Sequence, residues 1–143
     1  MSKGLVSKYL DILLSEGILR KKNTKFVVND SKDTKVLKIM LNLAAIDTKI
    51  FRRYKFVEAA GIYGSRAKGT DTESSDTDMW IKISKADNEQ IAKLSADLRK
   101  AIKNVRVLVL DDKKLEALKR DDTLFYHSLH FGSVTVYGKE NAI

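Results

Sequence analysis

The apolar residues Leu5, Val6, Tyr9, Leu10, Leu13 and Leu14 follow the i, i+4, i+5, i+8 rhythm of an amphipathic helix, and Gly17 is a natural stop behind them. Ile18-Leu19 and Phe26-Val27-Val28 then flank a basic, Asn-containing turn, which predicts a β-hairpin. Asp33 is placed to cap a second helix that turns Val36, Leu37, Met40, Leu41, Leu43 and Ala44 toward a core. Ile46 to Tyr54 continues helical after a break. From Phe56 the pattern becomes strand-like. Phe56 to Tyr63 reads as a buried strand ending at Gly64, and Met79 to Ile83 as a second, with Trp80, Lys82 and Ser84 on one face. Asp87 and Gln90 have capping-box spacing ahead of a helix that would bury Ile91, Leu94, Leu98, Ala101 and Ile102. Val105 to Leu110 is almost wholly apolar and predicts a central strand. Asp111–Lys119 and Asp122–Leu129 read as two more helices, and Val134–Tyr137 as a last strand. The expected architecture is α/β (α+β), a small mixed sheet of four strands flanked by helices, behind a helical N-terminal part.

Charge divides this chain in two. Its 27 Lys and Arg exceed 19 Asp and Glu by eight, and residues 1–56 hold thirteen of the bases against five of the acids. The whole excess therefore lies in the first two-fifths, which suggests different partners for a segment 1–55 and a domain 56–143. The helix, glycine and basic hairpin within residues 2–30 resemble the second half of a winged-helix domain. That resemblance implies DNA contact through Lys21, Lys22 and Lys25. An acidic protein surface would suit the same charge, and a homodimer is compatible with the sequence. No stretch approaches the roughly eighteen uncharged apolar residues of a membrane span. Lys8, Asp11 and Glu16 interrupt the N-terminus where a signal peptide would be apolar. Without cysteine there is no disulfide and no thiolate metal site, and a cytoplasmic home is the simplest expectation.

The chemistry concentrates between Gly61 and Asp78. A strand that ends in Gly64-Ser65 and turns into a short helix presents backbone N–H groups at the helix start, a cradle for phosphate. Arg66 and Lys68 add positive charge close by. Asp76 and Asp78 stand at i and i+2 as the next strand begins, so both carboxylates point to one face. Adjacent carboxylates repel unless a cation lies between them, and Mg²⁺ (or Mn²⁺) takes oxygen ligands of this kind. A phosphate cradle beside such a pair is what phosphoryl or nucleotidyl transfer from a nucleoside triphosphate requires.

Gly64-Ser65-Arg66-Ala67-Lys68-Gly69 followed by Ser75-Asp76-Thr77-Asp78 resembles the signature of the DNA polymerase β-type nucleotidyltransferases, and in particular their minimal (MNT) group. The likeness spans about residues 56–138. It implies the nucleotidyltransferase fold, with Gly64 and Ser65 on the triphosphate and Asp76 and Asp78 as catalytic metal ligands. It also implies an NTP donor, ATP in the leading reading, whose nucleoside monophosphate passes to a hydroxyl with release of pyrophosphate. Some minimal members are antitoxins that adenylylate a tyrosine of a HEPN-domain partner. One position departs from the pattern. The third carboxylate of the family falls early on the next strand, where this chain has Arg106. An arginine binds no metal and stays protonated, and Asp112 lies six residues on, about 20 Å along a strand. The sequence leaves open a one-metal site, a carboxylate from elsewhere, or an inactive regulator that binds DNA. Arg106 itself reads either as a triphosphate clamp or as an ion-pair partner of Glu58 or Asp76. His127 and His130 have metal-pair spacing but no third ligand nearby, and read as ordinary surface or core residues.

Overall fold

Five of the helices begin at side chains that cap them. Ser2, Ser31, Asp87, Asp111 and Asp122 each accept a hydrogen bond from the backbone N–H three residues on. At Asp87 the bond is reciprocated, because Gln90 Oε1 accepts from the Asp87 N–H at 3.0 Å. In this computed structural model, which describes residues 2–143, helix α1 spans Lys3–Ser15 and leads into a hairpin of β1 (Leu19–Lys22) and β2 (Lys25–Val28). Asn23, with φ of 57°, supplies the left-handed residue of its turn. Helix α2 runs over Lys32–Ala44 and α3 over Lys49–Arg52. There follow β3 (Val57–Tyr63), α4 (Gly64–Lys68), β4 (Thr77–Ile83), α5 (Asn88–Ala101), β5 (Val105–Leu110), α6 (Asp112–Asp121), α7 (Thr123–Gly132) and β6 (Val134–Gly138).

The main sheet has the order β5-β4-β3-β6, with β4–β5 parallel and the other pairs antiparallel. Strand parity sorts its side chains into two cores. Ile62, Met79 and Ile81 meet Leu94 and Leu98 of α5 and Phe51 of α3 on one face. Ala59, Trp80 and Leu110 meet Leu115 of α6 and Leu129 of α7 on the other. Lys82, two residues beyond Trp80 and on the same face, is buried and pairs with Glu58 at 3.5 Å and with Asp112.

Three expectations need correction. Strand β5 is an edge, not a centre. Its apolar character comes from having helices over both faces, so Val105, Val107 and Val109 pack toward α5 while Leu108 and Leu110 pack toward α6. Such two-sided cover makes a strand apolar whatever its neighbours. The cap of α2 is Ser31, whose Oγ accepts from Thr34 N at 3.2 Å, and Asp33 lies in the first turn. The face that α2 turns inward is also different in part. Val36, Met40 and Leu41 are exposed, Leu37 is half-buried and Leu43 packs on the first core as expected, whereas the stripe Thr34, Lys38, Asn42 is turned toward the loop that follows α4.

Candidate functional site

Strand β3 delivers the chain to Gly64 and antiparallel β4 returns it from Asp78, and the two are held together by the pairing of Tyr63 with Asp78. Tyr63 is extended, and Gly64 then takes φ of 71°, a left-handed conformation that turns the chain sharply into α4. The glycine is needed twice over. A Cβ at position 64 would lie 2.7 Å from Asp78 Oδ2, inside contact distance. The backbone of the Gly64-Ser65 turn and the Asp78 carboxylate thus share one small space. The first-turn amides of α4 have no side-chain cap to satisfy them.

Asp76 sits just ahead of β4. It is placed through its backbone by Arg66, which donates from Nε to Asp76 O at 3.2 Å and from Nη2 to Ser75 O at 2.9 Å. The third nitrogen, Nη1, reaches Asn42 Oδ1 at 3.1 Å and lies 3.6 Å from Asp71 Oδ2. Arg66, read from the sequence as charge for phosphate, has its whole guanidinium committed to shaping the loop. Asn42 also donates to Asp71 Oδ1 and to Arg66 O, both at 3.0 Å, and Lys38 Nζ donates to Asp71 O at 2.8 Å. Sequence reading missed Lys38, Asn42 and Asp71. The available signal was Asn42 itself, an amide in mid-helix that is costly unless its side chain has work to do. Lys68 is exposed at the end of α4, beside the α7–β6 junction at Gly132.

Arg106 closes the group. The parallel ladder pairs it with Asp78, and its Nη2 lies 2.7 Å from Asp76 Oδ2, which is one of the two pairings expected of it. Tyr63, half-buried beside them, has its hydroxyl pKa raised by burial and then by the Asp78 charge, with Arg106 opposing. Glu58 and Asp112 belong elsewhere, on Lys82. Among the described residues no three His, Cys, Asp or Glu side chains cluster as a metal-binding group. Asp76 and Asp78 are oxygen donors of the kind that would suit one hard cation completed by phosphate oxygens, and among the described residues no third carboxylate stands beside them for a second. The cradle that a Cβ would fill at Gly64 supports that fit.

The remaining residues singled out in the sequence lie outside this group. Lys21, Lys22 and Lys25 are exposed on the two-stranded sheet. His130 contacts the Ile143 carbonyl and stacks on Tyr126, and His127 stacks on Phe131. Among the described residues no helix is long and apolar enough to cross a membrane.

The chain is similar in structure to a protein of Sulfolobus solfataricus described as a nucleotidyltransferase, at 18% identity over 76% of this chain and 87% of that one, with a TM-score of 0.45. It is similar also to a tri-AMPylated Shewanella oneidensis HEPN toxin in complex with MNT antitoxin, at 17% identity over 71% and 73% of the two chains, TM-score 0.46. A toxin–antitoxin with AMP-PNP matches at 17% identity over 77% and 76%, TM-score 0.48. A search of curated proteins gives no match. The family model described as polymerase beta, nucleotidyltransferase, matches residues 47–139, nearly two-thirds of the chain and the site from Tyr63 to Arg106, and the chain therefore belongs to that family.

Proposed function

We propose that this protein binds a nucleoside triphosphate with one divalent cation and transfers the nucleoside monophosphate to a hydroxyl. The observation that carries the reading is the close approach of the Gly64 backbone to Asp78 Oδ2, with Asp76 held at 2.7 Å by Arg106, the ladder partner of Asp78. A triphosphate laid on the Gly64-Ser65 turn meets unsatisfied amides on one side and the two carboxylates on the other. A bound Mg²⁺ would neutralise charge between phosphate and carboxylates and hold the triphosphate in line. Asp76 and Asp78 orient it, and Arg66 fixes the loop from which Asp76 projects. The acceptor oxygen bonds to the α-phosphorus as the bond to the bridging oxygen breaks, and pyrophosphate leaves with that electron pair. The proton of the acceptor goes to solvent or to a base on the acceptor's own side, because Arg106 takes none.

ATP as donor and a tyrosine hydroxyl of a HEPN-type partner as acceptor are what the motif resemblance supports. Calorimetric titration of ATP with and without Mg²⁺ tests the binding. Metal-dependent binding that disappears in Asp78→Asn is the expected result, and metal-independent or absent binding defeats the reading. Pyrophosphate release on adding a HEPN-domain partner, lost in the same variant, tests the transfer. The alternative, DNA binding through Lys21, Lys22 and Lys25, has less to stand on, since exposure is what most surface lysines have.

A further inference from the structure

Arg106 is placed by the register of the sheet. As the ladder partner of Asp78 on an edge strand, it projects from the same face of the sheet as that aspartate. Its guanidinium reaches Asp76 while its side chain stays 72% exposed, against 36% for Asp76. The site therefore contains two carboxylates and one guanidinium, and the guanidinium stands at the position where the motif resemblance implies a third carboxylate.

As an isolated ion pair at this exposure, the contact would contribute about 0–1 kcal/mol and carry no further meaning. Three features argue for more. A guanidinium has five donors and no acceptor, and only one of them is spent on Asp76. Its planar fork matches the geometry of phosphate oxygens, and it is weakly hydrated enough to turn from carboxylate to phosphate at little cost. Its charge also repels any cation that would settle between Asp76 and β5.

We infer that this is a one-cation nucleotide site in which the Arg106 guanidinium stands in for a second cation, pairing with Asp76 and donating to the phosphate of the bound nucleotide. The inference rests on the nucleotide reading above and gives its single cation a physical reason, the guanidinium that takes the second cation's place, which the reading alone does not. Arg106 is a binding residue here and has no role in proton transfer.

The test is the number of Mn²⁺ ions held per chain with an α,β-methylene ATP analogue, which cannot react, read from the electron paramagnetic resonance of free Mn²⁺. The wild-type chain is expected to hold one. Arg106→Asp, which restores a third carboxylate, is expected to hold two. Arg106→Gln is expected to hold one, with the analogue bound about tenfold more weakly through loss of a charge-assisted bond. Two ions in the wild type, one in Arg106→Asp, or unchanged analogue affinity in Arg106→Gln would each overturn the inference while leaving nucleotide binding intact. Failure of the wild type to bind any Mn²⁺ with the analogue would instead overturn the nucleotide reading. Should Arg106→Asp not fold, the glutamine variant and the wild-type count still decide.

Discussion

Gly61 and Gly64 lie three residues apart on β3 and its exit, and each yields its Cβ space to a group on β4. Gly61 faces the Trp80 ring, where a Cβ would come within 2.6 Å of the indole, and the fully buried ring cannot retreat. Gly61→Ala should therefore cost about 1–3 kcal/mol through overpacking. A lowered denaturation midpoint, followed by the fluorescence of the chain's one tryptophan, would check this. Gly64→Ala should cost about 1–2 kcal/mol for the left-handed backbone and should also push the Asp78 carboxylate aside. Its distinguishing result is a drop in Mg²⁺-dependent ATP affinity of at least tenfold by calorimetry, beyond what Gly61→Ala produces. Lys82 gives the opposite expectation. It is buried, but Glu58 is half-exposed and Asp112 exposed, so removing the ammonium leaves neither acid stranded in the core. Lys82→Met should change stability by less than about 1 kcal/mol, or raise it, as thermal denaturation would show.

At the level of elements, what was legible was what is written locally. The capping box at Asp87 and the run of strand β3 into Gly64 are short-range patterns, and each took its expected form. Two features were not legible for physical reasons. An all-apolar strand reports cover on both faces and says nothing about lateral neighbours, so β5 read as central when it is an edge. For helix α2 only part of the expected apolar face turns inward, with Leu43 on the core and Val36, Met40 and Leu41 exposed. Its polar stripe is the one that meets a polar surface, the loop shaped by Arg66 and Asp71. That loop gives a test of positioning. Arg66 donates to two successive carbonyls and to Asn42, a fork that a single ammonium does not reproduce. Arg66→Lys should thus weaken Mn²⁺ binding with ATP almost as much as Arg66→Ala, while leaving the charge unchanged. Full retention of affinity in the lysine variant would show that charge alone was required.

The whole molecule should have distinct limits in alkali and acid. The Lys82 pKa is raised: burial lowers it, but the Asp112 hydrogen bond and the Glu58 charge together outweigh that effect. Tyr54 is raised as well, by burial first and then by its hydrogen bond to Asp97 at 2.7 Å. Both groups favour the fold in their protonated forms, so their contribution is complete below about pH 10 and is lost as pH rises through their folded values. Asp97 is lowered, chiefly by the Tyr54 hydroxyl, so its contribution holds above about pH 4 and fades as pH falls. Denaturant midpoints measured across pH should show a plateau between these limits, and Tyr54→Phe should blunt both edges. The clasp of α2 on the loop before β4 has a consequence for local opening. Because Lys38 and Asn42 are among the loop's partners, the order of the loop is coupled to that of the helix that carries them. Ser31→Ala removes the cap of that helix, about 130 Å of fully extended chain from the loop in sequence terms, since about forty residues at about 3.3 Å each separate them. Amide hydrogens of Thr70–Ser75 should nonetheless exchange faster in that variant, so that the protection of the loop before β4 depends on a serine at the head of a neighbouring helix.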